Sequence, residues 1–391
     1  MQELMFLGLF VLALGIGWLL GRREAIKVGF MVQPHGSALD RQYFIGLNYL
    51  LNEQPDEAIE TFIRALEVNP ETVETHIAIG KLFCQRGDVE RAIKVHQNLL
   101  ARPNLTRIQA DNVQLELARD YLAVGMHNRS ERLLDELVES GSPLRAEALV
   151  DLVKVHEREH DWLNATAVGE KLVRDRPQFA ITLAHYYCEI ALEPLRQQEL
   201  SQARKHLKDA LRVDSGCARA MLMLAELEDG LGRHKDAATW LERLAARDPD
   251  IVPHALPLAR RSAHNGALDL AAYLDSTIDS GSPLIETVLA RADFLRGAST
   301  VGDVSRFVLQ HIQRQPSLRG LLYLIDLHLD HVDAKGRDNL LILRGVVEAL
   351  VLEKHPYRCT SCGFMAKRLH WQCPTCHGWS TIRPLKGREA V

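Results

Sequence analysis

The sequence predicts an all-α protein: a superhelix of repeated helix pairs, preceded by an N-terminal transmembrane helix and followed by a small four-cysteine metal domain. Three observations predict it. An apolar run opens the chain, a period of 34 residues runs through its middle, and two Cys-x-x-Cys pairs close it. Composition agrees. Apolar residues make up 47% and charged residues 25%, but aromatics only 6%, which suits helix-on-helix packing better than a β-sandwich. A net charge of −4 excludes a global positive field that would draw the chain to nucleic acid.

Leu4 to Leu20 is uncharged and mostly apolar. As a helix it would span ~26 Å at 1.5 Å per residue, near the ~30 Å of a bilayer core. Glu3 precedes the run, and Arg22, Arg23 and Lys27 follow it. A signal peptide carries its positive charge first, so the order argues for an uncleaved anchor with the bulk of the chain in the cytoplasm. Gly17 and Gly21 are spaced for close approach of another membrane helix, although glycine is common in such segments. A homo-oligomer is compatible with the sequence. Residues 1–21 are thus read as the anchor and 22–38, with Pro34, Gly36 and Ser37, as a linker.

From residue 39 to 353 small residues recur. Gly46 and Gly80 are 34 apart, as are Ala58 and Ala92; Ala203, Ala237 and Ala271 continue the interval. This period resembles the tetratricopeptide repeat, a helix–turn–helix unit. Small residues let the two helices of a unit cross closely. Tyr49, Phe83 and Tyr121 fill the adjoining space, Phe62 and Ala65 continue the buried stripe, and Pro70 and Pro249 end units. The phrase Ser-Gly-Ser-Pro-Leu falls between units at 140–144 and again at 280–284. Two intervals stretch to 38, around Pro103 to Thr106 and around Pro194 to Glu199, and are read as longer turns. Helices are expected at Leu318 to His331 and Asn339 to Leu352, giving eight or nine pairs. Stacked pairs make an extended concave surface suited to a peptide or protein.

The tail, 354–391, carries Cys359-Thr-Ser-Cys362-Gly and Cys373-Pro-Thr-Cys376-His. Thiolates three apart converge on one ion, and two such pairs complete a tetrahedral shell. One structural metal ion, zinc or iron, is therefore expected on Cys359, Cys362, Cys373 and Cys376. A filled shell leaves no position for a catalytic water. Gly363 suits the positive φ of a metal knuckle. Tyr357, Phe364, Trp371 and Trp379 are expected to pack around the metal, with His370 and His377 on the surface.

His156-Glu157-Arg158-Glu159-His160 matches the H-E-x-x-H pattern of zinc proteases. Charged residues fill its interior, and His160 falls where other repeats carry Gly87, Gly125 and Gly232, at a turn. The reading is that the motif is fortuitous. No P-loop, dinucleotide fingerprint or nucleophile elbow is present, so no enzyme activity, catalytic residue or organic cofactor is expected.

The combination of parts, with Gly-Arg-Arg after the span, Tyr357-Arg-Cys-x-x-Cys-Gly-Phe364, Trp371-x-Cys-Pro-x-Cys and Trp379-Ser-Thr-Ile382, resembles the lipopolysaccharide assembly protein B family over the whole chain. That resemblance implies a rubredoxin-like tail docked back on a tetratricopeptide-repeat superhelix, with the four cysteines as ligands. It also implies a single-pass inner-membrane protein facing the cytoplasm. Its implied role is an adaptor that presents the deacetylase committing sugar nucleotide to lipid A to the membrane protease FtsH, restraining lipopolysaccharide synthesis. A scaffold gathering lipopolysaccharide synthesis and assembly proteins without directing proteolysis is the alternative. A metal enzyme or redox carrier is disfavoured by the closed shell.

Overall fold

A computed structural model describes residues 72–386 except Ser282 and Asp330, together with Ile45, Asn48, Tyr49 and Thr61. The apolar run at 4–20, the linker and most of the first repeat lie outside the described residues. Among the described residues no helix is long and apolar enough to cross a membrane. The chain divides after Ala148 into two compact units.

The first unit contains α1 (Val73–Gln85), α2 (Val89–Leu100), α3 (Arg107–Ala123) and α4 (His127–Glu139), and the start of α5 (Arg145–Arg158). Its packing follows from small residues beside large ones. Ile79, Phe83 and Ala92 form one buried cluster, and Val73, Ile77, Leu99 and Val113 another. Gly80 is small for a specific reason: a Cβ there would meet Nε2 of His96 at 2.3 Å. The fully buried His96 in turn places Nδ1 2.5 Å from a carboxylate oxygen of buried Asp120 on α3. This joins one helix pair to the next with a satisfied polar contact, as burial of such groups requires.

The second unit continues through α6 (Trp162–Asp175), α7 (Ala180–Arg196), α8 (Leu200–Val213), α9 (Ala218–Gly230) and α10 (His234–Arg247). It ends its helices with α11 (Val252–His264), α12 (Leu270–Asp279), α13 (Ile285–Arg296), α14 (Val301–Arg314), α15 (Leu318–His328) and α16 (Ala334–Glu353). Ala165, Ala203 and Ala237 are fully buried at the same offset in successive second helices, and Ala191, Ala225 and Ala259 of the first helices are fully buried too. Ala271 departs from this pattern and is only half-buried; α12 is short, and Tyr273 and Leu274 carry its core contact.

The turns inside the six units from α1 to α12 share one backbone device. Gly87, Gly125, Gly232 and Gly266 take positive φ, and so do His160 at 56° and Gln198 at 60° in the equivalent turns. The residue after each donates its N–H to the carbonyl five positions back, as in Asp88 to Phe83 at 2.9 Å and Asp161 to His156 at 2.9 Å. This bond satisfies a carbonyl that the helix end leaves open. His160 therefore stands at a turn, as its spacing suggests.

The two 38-residue intervals are explained differently from the sequence reading. Pro194 lies inside α7, and the turn after that helix is no longer than its counterparts. The additional residues extend the first helices of those units: α3 and α7 have 17 residues each, against 13 in α1 and α9. Four residues are about one helical turn, so the buried face keeps its direction. Only the Ala101–Thr106 connection is also somewhat lengthened. The Ser-Gly-Ser-Pro-Leu phrases lie between units as expected, with Gly141 and Gly281 at positive φ. The late helices are present as α15 and α16.

Candidate metal centre and ribbon docking site

The tail forms a three-stranded antiparallel ribbon in the order β2-β1-β3, with β1 at Tyr357–Cys359, β2 at Met365–Ala366 and β3 at Ile382–Pro384. The first knuckle closes through Gly363, φ 78°, whose N–H donates to the Cys359 carbonyl at 3.0 Å. The second closes through His377, φ 56°, which donates to the Cys373 carbonyl at 2.9 Å. These turns bring Cys359, Cys362, Cys373 and Cys376 together, all four sulphurs within 4.8 Å of one another. The Cys359–Cys376 and Cys362–Cys373 sulphurs are 3.7 Å apart. A tetrahedral shell with metal–sulphur bonds of ~2.3 Å has sulphur–sulphur edges of ~3.8 Å, so the donor set fits a four-thiolate ion.

The electrostatics prepare one thiolate. Burial opposes ionisation of Cys359, but hydrogen bonding with Thr381 and the backbone amides of Cys362 and Ser361 bring it down to about 6. At Cys362 the Phe364 amide favours the thiolate, yet burial and the neighbouring sulphurs push it up to about 12. Four close thiols cannot all ionise alone; a divalent ion removes that repulsion and displaces the remaining protons. His370 and His377 are outside the cluster, and His377 is exposed. Tyr357 and Phe364 pack against Cys359, Cys373 and Ile382 as anticipated.

Trp371 and Trp379 do something else. Both turn from the sulphurs toward the helices. Trp371 packs against the core cluster of α9 to α13. Trp379 stacks on His185 of α7, with ring centroids 4.9 Å apart at 20°, and meets Trp162 and Tyr186 edge-on at 6.1 and 6.0 Å. The Arg219 guanidinium lies over the Trp379 ring at 5.9 Å, held by an ion pair to Glu189 at 2.8 Å. The indole N–H donates to Glu157 at 2.5 Å, and the Gln372 amide donates to the same oxygen at 2.9 Å. Glu157, the first glutamate of the H-E-x-x-H match, is thus the acceptor that receives the ribbon. Burial raises its carboxyl above the ordinary range, although its hydrogen bonds oppose the rise. His160 contacts Trp162 edge-on.

His185 completes the latch, with Nε2 2.6 Å from the Ser380 hydroxyl. Burial, assisted by the charge of Arg219, lowers it to about 3, so it docks as the neutral imidazole. Two ion pairs fix the far end of the ribbon: Arg383 with Asp248 and Lys386 with Asp250, both at 2.6 Å. The sequence reading did not single out Glu157 as a docking group, nor His185, Arg219, Asp248 or Asp250. The available signal was the tail's surplus: two tryptophans and a glutamine that a metal shell does not need.

Helix pairs of this kind, bearing a closed four-cysteine ribbon on their surface, define a non-enzymatic repeat protein with a rubredoxin-type metal module. Residues 357–384 match the family model described as rubredoxin metal binding domain, and residues 45–103 and 188–250 match that of the tetratricopeptide repeat. The chain is 31% identical to lipopolysaccharide assembly protein B of Escherichia coli strain K12, over 100% of both chains. It is 32% identical to the protein of that name from Haemophilus influenzae, again over 100% of each. This chain belongs to the lipopolysaccharide assembly protein B family. Among solved structures it is similar to MamA, at 19% identity and a TM-score of 0.33, over 46% of this chain and 94% of that one.

Proposed function

We propose that the protein is a membrane-anchored adaptor in lipopolysaccharide synthesis, which brings the deacetylase committing precursor to lipid A to the protease FtsH. The observation that carries this reading is the likeness over the full chain to proteins named for lipopolysaccharide assembly. The apolar run at 4–20, followed by Arg22 and Arg23, supports an inner-membrane anchor with the repeats in the cytoplasm. Cys359, Cys362, Cys373 and Cys376 would hold one zinc or iron ion, whose part is to staple the ribbon. The shell leaves no open coordination position, which supports a structural rather than a catalytic metal.

The test is a reconstituted degradation assay with purified protease and deacetylase, with and without this chain in a bilayer. Adaptor action predicts faster loss of the deacetylase when the chain is present. An unchanged rate would reject the adaptor and favour the scaffold that gathers lipopolysaccharide proteins without proteolysis.

A further inference from the structure

A cleft of about 770 Å³ opens where the ribbon meets the last helix pairs. It lies within the size range of ligand sites. One wall comes from the ribbon, through Tyr357, Pro384, Leu385 and Lys386; the others come from α11 to α15 and their connections. The cleft runs past the starts of three successive first helices, α11, α13 and α15, at His254, Glu286 and Arg319. Helices packed ~10 Å apart make that path about 20 Å long, or roughly six residues of extended chain. A compact metabolite does not need such a path.

The chemistry of the lining is mixed in a defined way. Two aromatic pairs provide ring faces for an apolar anchor. Tyr357 of the ribbon meets His254 at a centroid distance of 5.9 Å, and Phe307 meets His311 at 4.8 Å on α14. Most of the charges are already engaged. Glu286 pairs with Arg319 at 2.5 Å, Asp275 pairs with Arg291 at 2.7 Å, and Lys386 pairs with Asp250 at 2.6 Å. Arg314 and Asp279 remain, both exposed on the lining and without an ion-pair partner among the described residues.

We infer that this cleft docks an extended segment of a partner protein, in which an apolar anchor is accompanied by one acidic and one basic side chain. The anchor enters between the ring pairs, the acid meets Arg314 and the base meets Asp279. The ribbon is a wall of the site, so the metal holds the site open by keeping Tyr357 and Lys386 in place. The inference rests on the protein-binding reading above but not on which protein is bound.

The probe is a phage-displayed library of random twelve-residue peptides, panned against the full zinc-loaded chain in lipid nanodiscs. Selected peptides are then titrated as fluorescent conjugates. The expected motif has an apolar residue with an acid and a base nearby. Arg314→Glu and Asp279→Lys should each weaken binding at least tenfold, and replacing the peptide's acid with lysine should restore binding to Arg314→Glu. Both positions are exposed, so the variants should fold, and circular dichroism is the check on this. Peptides that bind both variants as tightly as the parent, or a panning that enriches no such motif, would overturn the inference. The assay contains neither deacetylase nor protease, so its outcome is separate from that of the degradation assay.

Discussion

The helix pairs and the ribbon are held together by opposite means. The cluster spanning α9 to α13 has 16 buried residues, nearly all aliphatic and drawn from successive pairs. The ribbon's cluster has three, and two of them are cysteines. Each pair of helices shares its apolar face with its neighbours, so no single residue decides the fold. The ribbon concentrates its stability in four sulphurs and its position in a few docking contacts centred on Trp379. Distributed burial tolerates local loss, whereas a stapled module fails as a whole.

The largest break in that comparison should come from the metal. Chelation or Cys373→Ser should unfold the ribbon, since structural zinc sites contribute on the order of 10 kcal/mol. Far-UV circular dichroism should keep its helical signal while metal content falls below one equivalent. Next comes Trp379→Ala. The metal should stay bound, but loss of a buried indole costs about 3–5 kcal/mol, here taken from docking. Limited proteolysis after Glu353 would report the released ribbon. Glu157→Ala should cost about 1–3 kcal/mol, because it strands the indole and amide donors, while Glu157→Gln keeps an acceptor and should lose less. Comparing the two by the same proteolysis separates the hydrogen bond from the packing.

That helix pairs and a four-cysteine site exist was legible from small residues at fixed spacing and from Cys-x-x-Cys. These signals are local, set by repeat length and ligand geometry. What faces the ribbon was not, because Glu157 and Trp379 are 222 positions apart and nothing in the sequence joins them. The zinc-protease pattern is instructive. Its dismissal was sound, but a glutamate on the buried side of α5 still needed a donor, and the tail supplies two. Pro194 misled in the other direction: proline suggested a turn, whereas one additional helical turn absorbs the inserted residues without rotating the buried face. The tryptophans were expected at the metal because small metal modules need a core. Here the core they join belongs to the helices.

Smaller effects sharpen the comparison. His185 docks neutral, with its folded value lowered to about 3 from an ordinary 6.5. Its contribution is therefore intact above pH 6.5 and is lost as pH falls toward 3, by up to about 1.4 kcal/mol per unit. Between pH 7.5 and 5.5, with metal retention verified, ribbon release should rise in the parent and flatten in His185→Phe. The smallest expected change is a gain. Gln198 holds a φ of 60° that glycine adopts freely, so Gln198→Gly should stabilise its helix pair by up to about 1 kcal/mol. Thermal unfolding would show this as a small upward shift, with no change in ribbon docking.

The coupling between the two regions is tested most directly by hydrogen–deuterium exchange on the intact chain, with the metal bound and after its removal. The account predicts that metal removal deprotects the ribbon throughout and also raises exchange on α5 near Glu157 and on α7 near His185, where Trp379 was seated, while α8 and α10 keep their protection. Unchanged exchange around Glu157 and His185 after complete metal loss would contradict it, because the ribbon's place on the helices would then not depend on the four cysteines.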